Sequence, residues 1–119
     1  MLMELLIDTT DKDYLHLALQ ARGVVKAEKK IKTLHNQSEK LWPALDKLLK
    51  DNKVKKTDIK KIVVANHGGS FTSLRIGIAA ANALAFAWGI EVQDTAGKFK
   101  RFGKLRIVEP RYTGEAKIS

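Results

Sequence analysis

Between Phe71 and Ile90 the chain carries a single charged residue, Arg75, in a run dominated by alanine and large apolar side chains. A segment apolar on all sides has to be buried on more than one side. Gly77, Ala79, Ala80, Ala81, Ala83, Ala85 and Ala87 keep it narrow. Leu74, Ile76, Ile78, Leu84, Phe86 and Trp88 place bulk on several faces. A membrane span needs about 20 apolar residues, and here Gly77 and Asn82 interrupt a shorter run. The segment therefore predicts a helix over 72–88 inside a globular protein, with no membrane role. A small domain can cover only one side of it with a sheet, so the other side calls for a second protein packed helix on helix.

What precedes this helix narrows the architecture further. Ile62-Val63-Val64-Ala65 is a β-branched run, and His67-Gly68-Gly69-Ser70 is a tight turn. Gly68 and Gly69 permit backbone angles closed to other residues, and Ser70 or Thr72 can cap the first free helix amides. Strand, glycine turn and helix start together make a place where anions can dock, because several N–H groups point outward there.

Elsewhere the pattern is that of a small α/β layer. Residues 3–7 read as a strand closing on the polar turn Asp8-Thr9-Thr10-Asp11. Residues 14–21 alternate, with Leu15, Leu17 and Leu19 on one face and His16 on the other, where solvation is expected rather than metal ligation. Arg22-Gly23 turns the chain into a more polar strand over 24–32, completing an antiparallel meander. Residues 38–49 have a helical period, Leu41, Leu45, Leu48 and Leu49 forming one stripe. Ser38 is the expected N-cap, and Pro43 predicts a late start or a kink. A short strand over 91–94 follows Gly89, residues 96–103 read as loop, 105–109 could add an edge strand, and the remainder reads as a tail. The expected order is β-β-β-α-β-α-β, a mixed sheet with helices on one face, which is also the element order of an actin-like, ribonuclease H-like (ASKHA) lobe.

Composition removes some chemistries and raises others. There is no cysteine, so thiolate metal sites, disulfides and cysteine nucleophiles are excluded. His16, His35 and His67 have no zinc-ligand spacing, so neither a metal nor any other cofactor is expected. The N-terminus has no basic region and reaches Asp8 too early for a signal peptide, which makes a cytoplasmic location the expectation. The net charge of +9 is concentrated in residues 26–61, where 12 lysines face Glu28, Glu39, Asp46, Asp51 and Asp58. That stretch reads either as a solvated face or as a contact for tRNA or another RNA. Only Trp42 is interleaved with it, whereas base-stacking platforms need aromatic side chains.

Three stretches carry a family resemblance. Ser70-Phe71-Thr72 with Leu74-Arg75-Ile76-Gly77 resembles the GPGSFTGLRIG signature of the TsaB (YeaZ) family. Ile7-Asp8-Thr9-Thr10 is similar to its IDTS-type strand end, and His35-Asn36-Gln37-Ser38-Glu39-Lys40-Leu41-Trp42-Pro43 to its HSExLxP helix start. His67, Gly68 and Ser73 depart from the signature. The resemblance covers residues 1–95 as an N-terminal lobe. Residues 96–119 form a short tail in which Val108-Glu109-Pro110-Arg111-Tyr112 and Ala116-Lys117-Ile118-Ser119 resemble the family's ending. On this reading the chain is a natural minimal form whose second lobe is absent.

The resemblance implies a noncatalytic scaffold that pairs with the transferase TsaD in making N6-threonylcarbamoyladenosine in tRNA. A TsaE-like ATPase is implied in the larger complex, and a homodimer when the chain is alone. It implies a helical bundle with TsaD, for which Leu41, Leu45 and Leu49 on the first helix and Leu74, Arg75, Ile78, Ala81, Asn82 and Ala85 on the second are the expected contacts. Asp8, Thr9, Gly68, Gly69, Ser70 and Thr72 would be a degenerate phosphate-type loop, with Asp8-Thr9-Thr10 a strand-end turn bonded to its own backbone. Neither Arg75 nor His67 is expected to be catalytic. Two other readings stay open: a small basic RNA-binding module, and a degenerate ATPase fold with residual nucleotide binding.

Overall fold

The computed structural model describes residues 2–111, so Tyr112 and residues 116–119 of the family-like ending lie outside the described residues. Five strands form one mixed sheet in the order β3-β2-β1-β4-β5. β1 (Met3–Asp8), β2 (Tyr14–Ala21) and β3 (Val24–Lys32) are the antiparallel meander. Arg22 (φ 54°) and Gly23 (φ 78°) make its tight turn, both in the left-handed region such hairpins require. β4 (Ile59–Val64) and β5 (Glu91–Asp94) join in parallel after α1 (Gln37–Asp51) and α2 (Phe71–Trp88).

Register explains the core. Leu5 sits opposite Leu19 on one side and Ile62 on the other, and Ile62 faces Val92. Ile7 is flanked in the same way by Leu17 and Val64. These residues form an apolar field across the sheet, each at most 1 % exposed, against which both helices pack. Each such side chain taken out of water contributes about 1.5–3 kcal/mol. Ala18 and Val63, also buried, lie outside this cluster.

The two sheet edges are protected differently. β3 is an edge strand whose Lys26, Lys30 and Lys32 are exposed, which discourages pairing with another chain. At the other edge a hairpin of β6 (Lys100–Phe102) and β7 (Leu105–Ile107) packs beside β5, and Arg106 Nε donates to the Val92 carbonyl at 2.8 Å. This hairpin corrects the expectation of a loop over 96–103. Three-residue strands in a polar stretch carry too little alternation to be read from sequence.

Two further differences concern α1. It runs from Gln37 to Asp51 continuously through Pro43, so the N-cap is Asn36 and not the expected Ser38, and the late start that Pro43 suggested does not occur. Asn36 occupies the N-cap without capping the helix; its side chain instead accepts from the Leu34 amide at 2.9 Å. The first turn is held by Gln37, 2 % exposed, whose Nε2 donates to the carbonyls of Asp11 and Tyr14 at 2.8 Å each. That side chain ties α1 to the β1–β2 turn.

Candidate functional site

The glycine turn and the end of β1 form a fastening. Ser70 caps α2 as expected, its Oγ accepting from the Ser73 amide at 3.0 Å. Gly68 (φ +85°) and Gly69 (φ +75°) are both left-handed, and a Cβ on Gly69 would lie 1.8 Å from the Thr10 carbonyl oxygen. Thr9, fully buried, donates its hydroxyl to the Ser73 carbonyl at 2.5 Å and accepts from the Gly77 amide at 3.0 Å. A Cβ on Gly77 would meet Thr9 Oγ1 at 2.6 Å. Asp8 Oδ1 accepts from the Thr10 amide at 2.8 Å and the Thr10 hydroxyl at 2.6 Å, which is the strand-end turn read from sequence. Asp8, Thr9, Gly69 and Ser70 are thus used by the fold itself: Asp8 holds the strand-end turn, Ser70 caps α2, Gly69 closes the glycine turn onto Thr10, and Thr9 fastens the first turns of α2 to the end of β1. Among the described residues no cluster of three His, Asp or Glu side chains gathers that could hold a metal ion.

The face of α2 that looks away from the sheet is not the one read from sequence. Leu74, Ile78, Ala81 and Ala85 lie in the chain's own core, at most 5 % exposed. On α1, Leu41 and Leu45 are buried in the same core and Leu49 packs against it. Apart from Leu41, which also borders the groove between α1 and α2, they cannot be the outer surface of a docking face, because they are packed in the core against the sheet. α2 has the length and mean hydropathy of a membrane-crossing helix, yet these contacts make it the core helix of the lobe.

Asn82 has a different task from the one expected. Its side-chain amide donates to the Val108 carbonyl at 3.0 Å while its Oδ1 accepts from the Val108 amide at 2.9 Å. This two-point clamp seats Val108, 2 % exposed, in the core. Residues 105–111 therefore fold onto the lobe rather than trailing from it. The amide of Arg111 also donates to the Asn66 carbonyl at 2.8 Å, and the Asn66 side chain bridges buried Asp94 (3.1 Å) and the Glu109 carbonyl (2.7 Å). Asn82→Ala is expected to leave both Val108 backbone groups unsatisfied and to cost about 1–3 kcal/mol. Faster trypsin cleavage after Lys104 and a lower thermal midpoint would show it; an unchanged digest would mean the clamp holds nothing.

What α2 exposes is a stripe of Thr72, Arg75, Ala79, Ala83, Phe86 and Ala87, spaced at three and four residues along one side. Between this stripe and α1 runs an open groove of about 630 Å³. Trp42 (48 % exposed) and Phe71 (54 % exposed) stand on its walls. Ile76, Ala79, Ala80 and Ala83 line the α2 side and Leu41 the α1 side. Arg75, the sole charge among these lining residues, lies over the Phe71 ring at 5.3 Å.

The lysines of 26–61 do not converge on one site. Lys26, Lys30 and Lys32 lie on the β3 edge, Lys40, Lys47 and Lys50 on α1, and Lys60 and Lys61 on β4, two strands away from β2. Lys47, Lys50 and Lys61 are ion-paired to Asp51, Asp46 and Glu4. His16, expected to be solvated, is 28 % exposed at its side chain and contacts Glu28 at 2.8 Å.

Known proteins resemble this lobe. The model of the family described as TsaD, tRNA N6-adenosine threonylcarbamoyltransferase, matches residues 26–94. The tRNA threonylcarbamoyladenosine biosynthesis protein TsaB of Bacillus subtilis (strain 168) is 37% identical over 92 residues, which is 77% of this chain and 39% of the relative. YeaZ from Pseudomonas aeruginosa superposes with a TM-score of 0.72 at 25% identity, over 80% of this chain and 44% of that one. A second P. aeruginosa structure, titled as having similarity to peptidase YEAZ, gives the same TM-score and identity and is covered over 43% of its length. The chain thus spans about two-fifths of the length of the relatives it matches.

Proposed function

The chain belongs to the family of tRNA N6-adenosine threonylcarbamoyltransferase, in its TsaB (YeaZ) group, and from that premise we propose that it is a noncatalytic docking subunit for a TsaD-like transferase in tRNA threonylcarbamoyladenosine biosynthesis. The observation that carries this reading is the open apolar groove between α1 and α2. A groove with aromatic walls and an alanine side fits an amphipathic helix, because small residues let a partner helix approach closely while Trp42 and Phe71 supply buried area. A noncatalytic role agrees with the use made of Asp8, Thr9 and Ser70, whose polar atoms are bonded within the fold. The match to the transferase family model supports a TsaD-like partner, and the shape and lining of the groove support a helix docking there.

The test is reconstitution with the transferase from the same genome. Co-elution in size-exclusion chromatography is expected, and it should persist as salt is raised, because apolar contacts are not screened. Separate elution at low and high salt would overturn the pairing. Elution of the chain alone at twice its mass, unchanged by added transferase, would replace the partner with a second copy.

A further inference from the structure

The nine residues Lys98-Phe99-Lys100-Arg101-Phe102-Gly103-Lys104-Leu105-Arg106 hold five cations, two phenylalanines and no acid. The fold gathers part of them around a second cavity, of about 860 Å³, between the β6–β7 hairpin, the start of β4 and the end of α2. Lys60, Lys61, Arg101, Lys104 and Arg106 line it, with Glu91 the one acid among the lining residues. It shares no lining residue with the helix groove. Phe86, 77 % exposed, lies against it, and Phe102, 55 % exposed, is on the same hairpin.

The hairpin keeps this charge against its own stability. Arg101 and Arg106 are direct cross-strand partners, and like charges placed opposite each other destabilise a strand pair. Both guanidinium groups approach the Phe99 ring, Arg106 at 3.4 Å and Arg101 at 5.5 Å from its centre. Arg106 is held by Glu91 at 3.6 Å and by the Val92 carbonyl. Among the described residues Lys60, Arg101 and Lys104 have no carboxylate partner. A bound polyanion would relieve the repulsion between the two arginines.

We propose that the β6–β7 hairpin, together with Lys60 and Phe86, binds a single-stranded segment of RNA. Cations that track a phosphate backbone and exposed rings on which bases stack are the two components of such sites, and both are present here. An acidic polypeptide would use the cations but leave Phe86 and Phe102 without a stacking partner. The site is separate from the proposed transferase groove, so it stands or falls independently of that reading.

Fluorescence anisotropy of labelled oligouridylate with the whole chain tests it. With three unpaired cations engaged, affinity should fall about 20-fold between roughly 50 and 200 mM salt, given a slope of about −0.7 per neutralised phosphate. Arg101→Glu/Lys104→Glu is expected to weaken binding at least about tenfold, and Phe102→Ala about fivefold or more. Neither should lower the thermal midpoint, since Arg101→Glu removes a like-charge pair. Lys26→Glu/Lys29→Glu on the far edge strand makes the same charge change and should leave binding within about twofold. Equal losses from the two double variants would show diffuse charge attraction and overturn the proposal. So would binding of polyglutamate without oligouridylate, or an unaltered affinity in Phe102→Ala.

Discussion

Ala81→Arg is expected to destabilise the lobe severely, whereas Ala83→Arg, two residues further along α2, is expected to keep the fold and lose the transferase. Ala81 is 0 % exposed and faces the sheet. A guanidinium there must displace packed side chains or stay buried without a partner, which costs about 3–5 kcal/mol. Domains of this size hold about 5–15 kcal/mol in total, so the thermal midpoint should fall by about 15 °C or more. Ala83 points into the groove, where an arginine reaches water at no comparable cost to the monomer. A partner helix packed on that surface would have to bury or expel the charge. Circular dichroism melting and co-elution with the transferase separate the outcomes. A well-folded Ala81→Arg would contradict the packing described here. Wild-type co-elution of Ala83→Arg would remove the groove as the docking site.

Gly77→Ala is expected to destabilise the chain by about 1–3 kcal/mol, although alanine is the better helix former by about 1 kcal/mol. The added methyl would lie 2.6 Å from Thr9 Oγ1, and Thr9 cannot retreat while it bonds both the Ser73 carbonyl and the Gly77 amide. Overpacking and a weakened hydrogen bond outweigh the gain in helix propensity. The cause is identified by a double-mutant cycle. Thr9→Ala costs stability by itself because it leaves Gly77 N–H without that acceptor. In its background, however, Gly77→Ala should be neutral or stabilising, giving a coupling of at least about 1 kcal/mol. Additive effects in urea unfolding would show that the two residues do not form one fastening.

This fastening gives the signature-like stretch a mechanical role. Thr9 and Gly77 fix how deeply α2 sits against β1, and Gly69 lets the turn close onto Thr10. The depth of α2 in turn sets the opening between Ala79, Ala83 and Trp42. Residues far from the groove surface therefore control its shape, and in Gly77→Ala any loss of transferase binding should accompany the loss of stability.

Much of the architecture was legible without coordinates. Alternation over 14–21 and the Arg22-Gly23 turn placed β2 and β3 within their observed bounds, because one face of β2 is buried and its hairpin partner is a polar edge strand. The stripe of Leu41, Leu45 and Leu48 located α1, and the uncharged run located α2. The strong stripe on α1 misled in one respect. Apolar residues at helical spacing read equally well as a docking face, and here they are what the helix gives to its own core. Gln37 and Asn82 went unrecognised as structural ties because a single polar residue carries no periodic signal. In the cation-and-phenylalanine stretch of 98–106 the sequence reads as loop up to 103 with an edge strand from 105, and only the folded hairpin brings its charges beside Lys60.

Sequence by itself determined the order of the main strands and helices as far as β5, the need to bury α2, and the kinship carried by residues 7–10, 35–43 and 70–77. Those follow from local chemistry: backbone preferences, periodic burial and turn residues act over a few neighbouring positions. Which side of α2 stays open was decided only by the tertiary structure. A helix apolar on every side has no preferred phase, so hydrophobicity could not orient it. Its orientation came from steric fit: Gly77 is the position narrow enough to lie on Thr9, and that contact turns Leu74, Ile78 and Ala81 inward and leaves Ala79 and Ala83 facing out.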